Sequence, residues 1–425
     1  MEKFDIVIIG TGPAGLGAAF ALKEAKPALS IAMLDQNQFS SGGLRNDCKM
    51  NYSWPVGFSE NLWTQAEAEG YLNKVEAMLK PDIMDKHDVQ RYASRAERLG
   101  VQLMRIRQAH LGTDGGLALI KDLIARLVAL GVCVSLNERV LSIDAARKIA
   151  VTDKRELSYT HAIVAPGRSG FSFLQDIMRA NGIAFVDNEV DIGIRVELTE
   201  ERYPIVKDYY DPKFIFAKKV RTFCTNSRAA HVVQEKYEDA FGVWYSVNGH
   251  AWSSQRPANG LANFALLKTV ALTEPLASGQ AYARGLGAQA MLLGGGKPIM
   301  QRVGDFRLGK RSTQEGCNGD LFDFEPTLAS ACPGDLGLAV PAKILRGLWE
   351  AMKRLDTIVP GVLHPSTIMY YPEIKTYANR PVFKDPSCFM ATDGLYLAGD
   401  GAGTSRGITA AWASGMRVAN GILSR

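Results

Sequence analysis

Three glycines, Gly10, Gly12 and Gly15, stand in G-x-G-x-x-G spacing, and an acid, Asp35, follows 20 residues after the last of them. Each position has a physical task. Gly10 makes a tight turn, Gly12 lets the backbone approach a pyrophosphate, and Gly15 lets a helix lie close on a strand. Pro13 and Ala14 open that helix, whose N-terminus offers unpaired N–H groups and a partial positive charge to phosphates. A carboxylate at Asp35 is placed to accept a hydrogen bond from an adenosine ribose. This is the chemistry of dinucleotide binding. At the other end of the chain, Gly399, Gly401, Gly403 and Gly407 fall within nine positions, around Asp400, Ser405, Arg406 and Ile408.

The elements that must carry these residues can be read around them. Ile6 to Ile9 form a short β-branched run of the kind a buried parallel strand needs, and SIAMLDQ makes a second strand ending at Asp35 and Gln36. A loop with Gly42, Gly43, Leu44, Arg45 and Lys49 follows, then a helical region over about 61–108. HLGTD is expected to be a loop ordered by His110, before an amphipathic helix that stops at Gly131. THAIVAPGRSG is a further buried strand ending in the turn Ala165, Pro166, Gly167.

The style then changes. VDIGIRVEL, FIFAKKVRTFC, AAHVVQEKY and GVWYSVNGHAW are strand-like, with helical pieces expected at 259–273 and 342–353 and a loop and turn at 285–298. The small-residue style returns around YLAGDGAGTSRGITAAWASG. The expected fold class is α/β: a discontinuous Rossmann domain built from 1–187 and 386–425, and an inserted strand-rich α+β domain at 188–385 that covers a substrate.

One βαβ turn can hold an adenosine and a pyrophosphate, but it does not reach a flavin ring. A second strand–turn–helix beside it does. Asp400 would accept from a ribityl hydroxyl or sit near the pyrophosphate, and the helix after Gly403 would aim its N-terminus at the flavin's pyrimidine edge, where charge develops on reduction. The two glycine ends together therefore imply FAD.

DIVIIGTGPAGLGAA, LDQ, AIVAPGRSG and GLYLAGDGAG resemble the FAD signatures of glutathione-reductase-type flavoproteins. More narrowly, SSGGLRNDCKMN, HLGTDGGL, VDIGIRVEL, VNGHAWSSQRPANGLANFALL, PIMQRVGDF, YYPEIKTY and GDGAGTSRGI resemble a family of largely uncharacterised FAD-dependent dehydrogenases, over the whole length. The resemblance implies a glutathione-reductase-like FAD domain and places Gly10, Gly12, Gly15, Asp35, Gly43, Val140, Gly167, Asp400 and Gly407 at the FAD. Val140 would meet adenine through its backbone. Where the family carries TFC followed by a further cysteine and paired glycines, this chain reads TFCTNSRAAHVV, which puts any role of that segment in doubt.

Some chemistries are excluded. In disulfide reductases two glycines precede C-x-x-x-x-C in the loop after the ribose acid; here Arg45 and Met50 stand at the cysteine places and Cys48 at neither, so no dithiol relay is expected. G-D-G-A-G stands where flavin hydroxylases carry G-D-A-A-H, which disfavours that chemistry. No second strand–G-x-G-x-x-G unit marks a separate nicotinamide domain. NADH or NADPH would then visit the flavin transiently, or electrons come from the substrate or a redox partner protein.

The catalytic candidates are His250, Glu373, Lys375 and Arg406, with Asn248 and Arg256 nearby in sequence. His250 has the right titration range for an acid or base, and equally reads as a structural histidine. Glu373 and Lys375 would share one strand face and equally read as a salt bridge. Arg45, Lys49 and Arg406 would stabilise reduced flavin, bind an anionic substrate or hold the FAD phosphates.

With 47% hydrophobic and 22% charged residues and a net charge of +5, the chain is an ordinary soluble protein in composition. Six scattered cysteines without C-x-x-C signal no zinc or redox dithiol. No signal peptide and no uninterrupted apolar run of ~18 residues is found, so a cytoplasmic location without a membrane is expected. Arg91, Arg95, Arg98, Arg105 and Arg107 read as a solvated face, with nucleic acid an unfavoured partner. The expected function is an FAD-dependent oxidoreductase moving a hydride through flavin N5 to or from a small organic molecule. The alternatives are an FAD-dependent monooxygenase, or a flavoprotein in an electron-transfer or RNA-modifying complex.

Overall fold

The computed structural model describes residues 1–425 except 40–41, 88, 187–188, 240–241, 253–256, 273–277, 318–323 and 377–378. The chain forms two compact units, one of residues 1–83, 106–188 and 377–425, the other of 84–105 and 189–376. The junctions near 188 lie together, whereas the later one falls at 376/377 rather than 385/386. Residues 84–105 join the second unit, because Gln102–Met104 adds a strand to its sheet edge and Val89–Arg98 buries Tyr92 and Ala96 in its core.

In the first unit β1 (Glu2–Ile9), α1 (Pro13–Ala25) and β2 (Ile31–Asp35) form the opening βαβ turn. A short pair follows, β3 (Lys49–Asn51) with β4 (Gln108–His110), then α2 (Gly112–Ala129), β5 (Val132–Leu136) and β6 (Glu156–Val164). The chain closes with β7 (Leu395–Leu397) and α3 (Ile408–Leu423). Strands β7-β6-β1-β2-β5 run parallel at the centre of an eight-stranded sheet whose remaining strands, Met390–Thr392 beside β7 and the Val140–Asp144/Ile149–Thr152 pair beside β6, are antiparallel, and Ile6, Val7, Ile8 and Ile9 are buried. The expected helical region over about 61–108 holds two helices, Gln65–Leu79 and Val89–Arg98, and ends in two three-residue strands.

The second unit is built on a largely antiparallel eight-stranded sheet with Val190–Thr199 between Ile368–Thr376 and Leu261–Val270. Two expectations are corrected here. The 259–273 segment is a strand, Leu261–Val270, because its apolar residues fill both faces of a central position. The 285–298 segment begins inside a helix, Gly279–Leu293, capped by the Ser278 hydroxyl on Ala281 N–H. The Val190–Thr199 strand turns Val190, Ile192, Ile194, Val196 and Leu198 to one core. Its opposite face carries Asp191, Arg195 and Glu197, and these are buried too. The hairpin Ala230–Asp239/Gly242–Ala251 covers that polar face so closely that a Cβ on Gly249 would lie 2.5 Å from an Arg195 guanidinium nitrogen.

Candidate cofactor site

The parallel strands of the first unit deliver their C-terminal ends to one edge of the sheet, and the glycine turns stand there side by side. Gly10 N–H bonds to Leu34 C=O (2.7 Å), Ala165 N–H to Ile9 C=O (2.8 Å) and Ala398 N–H to Val164 C=O (3.0 Å). The turns after β1, β6 and β7 are thereby held against one another. Gly10 has φ +104° and sits where a Cβ would be 2.2 Å from the Ala165 carbonyl oxygen, so only glycine fits. Gly399, at φ +81°, packs in the same way on Ala14. In a doubly wound sheet the crevice outside the carboxyl ends, where strand order reverses, is the ligand site. Here β2 leaves β1 to one side and β6 lies on the other.

Two helices begin at this edge, and small residues let them touch. A Cβ on Gly415 of α3 would lie 1.9 Å from the Ala14 carbonyl oxygen of α1, and one on Gly17 2.3 Å from that of Trp412. α1 starts at Gly12 and α3 at Gly407, neither with a side-chain cap. At α1 no cap side chain takes the first N–H groups, and at α3 the N–H of Gly407 itself is held by Asp400 Oδ2; both positive dipole ends suit an anionic or electron-rich ligand. The start of α3 is ringed by Gly43 (3.4 Å from Ile408 for a Cβ), by Asn51 C=O, which accepts from the Thr409 hydroxyl, and by Gly57, whose carbonyl accepts from Arg406 N–H at 2.7 Å.

The acids fit a dinucleotide with hydroxyls. Asp35 Oδ2 accepts from Thr11 N–H (2.9 Å) and Thr11 Oγ1 (2.7 Å), and Oδ1 from Asn37 N–H (2.9 Å). A carboxylate has about four acceptor positions, so the acid is held rigid and keeps room for one more donor. Half-buried Asp400 accepts from Ser405 Oγ (3.0 Å) and Gly407 N–H (2.9 Å). Desolvation pushes its carboxyl above the usual range, against the opposing pull of Arg168 and those two bonds. Fit to FAD is thus supported by the glycine cradle, the uncapped helix ends and the spare acceptor capacity.

The remaining expected contacts are distributed less evenly. Gln36 and Gly42 are exposed, whereas Leu44 is fully buried in the core, with its carbonyl against Gly116. Arg45 donates to Thr113 C=O (3.2 Å), and Lys49 Nζ lies 3.4 Å from Asp47. Pro166 and Gly167 form the turn after β6, and a Cβ on Gly401 would be 2.4 Å from Gly167 C=O. Val140 is buried in a strand, Val140–Asp144, that pairs with Ile149–Thr152. Cys48 is fully buried, and burial pushes its thiol up to about 12, with Asp47 adding to the effect; it is a packing group, not a redox thiol.

The catalytic candidates divide between the units. Arg406 is exposed at the start of α3 in the first. His250, Glu373 and Lys375 belong to the second, and Arg256 lies outside the described residues. Glu373 makes a fork with fully buried Arg195, both bonds 2.7 Å, and Lys375 Nζ lies 3.4 Å from Glu373 and 3.8 Å from Glu235. Glu373 is a structural partner of Arg195, a residue that sequence reasoning did not single out. Half-buried His250 sits opposite His231 in the hairpin. The arginine face is occupied as well: Arg91 pairs with Asp208 (2.9 Å), Arg107 with Glu76 (2.6 Å), and Arg95 bonds to Ile358 C=O.

His110, expected to order its loop, pairs with an acid that sequence reasoning did not single out. His110 Nε2 is 2.6 Å from Asp47 Oδ1, although 63 residues separate them and no local spacing signals the pair.

Residues 4–191 match the family model described as pyridine nucleotide-disulphide oxidoreductase. Over 344 residues, 75% of this chain, it is 25% identical to an uncharacterized protein of Clostridium beijerinckii, of which it spans 62%. Over 80 residues, 18% of this chain, it is 31% identical to an uncharacterized protein of Methanosarcina barkeri, of which it spans 20%. Among solved structures it is similar to glycine oxidase from Bacillus cereus (TM-score 0.45, 11% identity, 99% of this chain and 95% of that one). It is similar also to L-proline dehydrogenase from P. horikoshii (TM-score 0.46, 10% identity, 100% and 94%). Among the described residues no helix is long and apolar enough to cross a membrane.

Proposed function

We infer that this chain, whose residues 4–191 match the pyridine nucleotide-disulphide oxidoreductase model, is an FAD-binding oxidoreductase whose reaction moves a hydride between bound FAD and a small organic substrate. One observation carries the reading: two uncapped helix N-termini and two acids, from opposite ends of the chain, converge on one edge of one parallel sheet. When bound, FAD supplies the hydride acceptor and donor. Asp35 would hold the adenosine ribose, the α1 N-terminus with Gly10, Gly12, Pro13, Ala14 and Gly15 the pyrophosphate, and Asp400, Ser405, Gly407 and Ile408 the ribityl and ring end. The α3 N-terminus stabilises negative charge arriving at that end. Glutathione-type disulfide reduction is not part of the reading, because Arg45 and Met50 replace a dithiol and Cys48 is buried.

Purified protein is expected to be yellow and to release FAD rather than FMN on denaturation. Under anaerobic conditions its visible absorbance should bleach with NADH, NADPH or a member of a metabolite panel, added separately. A colourless protein that stays empty when incubated with FAD overturns the reading. Substrate-dependent oxygen incorporation would replace dehydrogenation with monooxygenation, and failure of both nicotinamides would leave substrate or a redox protein as the electron source.

A further inference from the structure

In the second unit the core-facing stripe of the Leu261–Val270 strand, Ala262, Phe264 and Leu266, ends on a lysine. Lys268 is 9% exposed. Its stem lies against the helix Ala342–Ile358, where Gly347 makes room: a Cβ there would be 3.4 Å from Lys268 Cδ and 3.6 Å from Nζ. The amine donates to Lys218 C=O (2.9 Å), in the turn that joins Lys213–Phe216 to Val220–Asn226. Thr269 N–H fixes the same turn through Lys219 C=O (2.9 Å).

A buried ammonium ordinarily meets a carboxylate. Among the described residues Lys268 meets none, and the acid at this turn, Glu189, is taken by Lys219. Its surroundings are positive instead. Burial first, then the ammoniums of Lys343 and Lys218, hold Lys268 below the usual lysine range. Lys343 stands in the first turn of the Ala342–Ile358 helix, which has no side-chain cap and no acid there. A helix N-terminus favours an anion, so a lysine in that turn opposes the dipole. Three ammoniums and a helix end therefore share one sign, and the single carbonyl bond leaves Lys268 with two more N–H groups to donate. Packing alone does not account for the charge, because an apolar side chain of similar length fills the same space without the desolvation cost.

We propose that Lys268, Lys343 and Lys218 form a binding site for the phosphate group of a small molecule. Phosphate suits this set better than carboxylate. It is tetrahedral and carries up to two charges, so it accepts from several point-charge donors at once, whereas planar carboxylate is best matched by the arginine fork. The site lies within the second unit and does not rest on the FAD reading.

The test is titration calorimetry with inorganic pyrophosphate on the FAD-loaded protein, whose glycine turns are filled, against sodium chloride at equal ionic strength. Saturable binding is expected, weakened about tenfold or more in Lys268→Met and in Lys343→Gln, as for a lost charged hydrogen bond. Without pyrophosphate, Lys268→Met should keep or raise the Tm. Acetylation mapped by mass spectrometry should show pyrophosphate slowing reaction at Lys218 and Lys343 but not at Lys353, which pairs with Glu350 further along the helix. No binding beyond that of sodium chloride, variants that bind like the wild type, or protection spread evenly over the exposed lysines overturns the proposal. Should Lys268→Met fail to fold, Lys343→Gln and the protection of Lys218 decide it. A colourless protein removes the FAD reading alone: pyrophosphate then also enters the glycine turns, and the share of binding lost in Lys268→Met decides this site.

Discussion

In the second unit Arg195 gives all five of its N–H groups to protein acceptors: both oxygens of Glu373, Cys224 C=O, Asn263 Oδ1 and Asn248 Oδ1. In the first unit the N-termini of α1 and α3 receive no side-chain cap, and Asp35 is braced without being saturated. Both regions concentrate polar groups in a largely dry setting. The Arg195 guanidinium is closed on its own acceptors, although the Asn263 Nδ2 beside it finds no partner among the described residues, and the other region is left open. Buried polar groups are almost always satisfied, so a closed network has a complete account within the protein, and an open one points to a ligand. Glu373 and Lys375, attractive as catalysts in a sequence, fall on the closed side.

The largest expected effect breaks the closed side. Glu373→Gln should cost about 3–5 kcal/mol in urea unfolding, because Arg195 and Lys375 remain buried with one acid removed. Arg195→Met with Glu373→Leu should recover only part of it, since the apolar pair carries no desolvation cost but leaves Lys375, Cys224 C=O, Asn263 Oδ1 and Asn248 Oδ1 without these partners. A single variant that unfolds like the wild type would show the network to be dispensable.

On the open side, Gly415→Val should cost about 1–3 kcal/mol by forcing α1 and α3 apart, and it should abolish visible colour. Retention of colour at full stability would separate the helix contact from cofactor binding. A smaller effect comes from Asp400. Its folded carboxyl lies above 3.8, so the stability it contributes is fully present below that value and lost as pH rises through the folded value. The protein without FAD should therefore show a slope of at most about 1.4 kcal/mol per pH unit from this group, absent in Asp400→Asn and measurable by thermal unfolding across the carboxylate range. Smallest is a labelling contrast: in the folded protein iodoacetamide should modify exposed Cys133 and spare Cys48, read by mass spectrometry. Modification of Cys48 at the rate of Cys133 would mean that the loop opens.

The glycine turns were legible because their information is local. Gly10, Gly12, Gly15 and Asp35 encode one βαβ turn, and the terminal GDGAG repeats its style. The errors arose where neighbours overrode local preference. LANFALLKTV is apolar at both periods, and burial between two strands decided for a strand. The 279–293 helix survives Gly285 and Gly287 because Gly287 lets Trp244 pack against it, with a Cβ there falling 2.5 Å from the ring. Residues 84–105 changed units through one edge-strand pairing that no composition shift announces.

From sequence alone, this protein's α/β class, its two glycine turns and the lack of a dithiol were determined, since each depends on residues within one turn or strand of each other. The tertiary structure alone decided which polar groups pair: Glu373 with Arg195 across 178 residues, His110 with Asp47 across 63. Electrostatic satisfaction depends on distance in space and on burial, and the chain must fold before either exists.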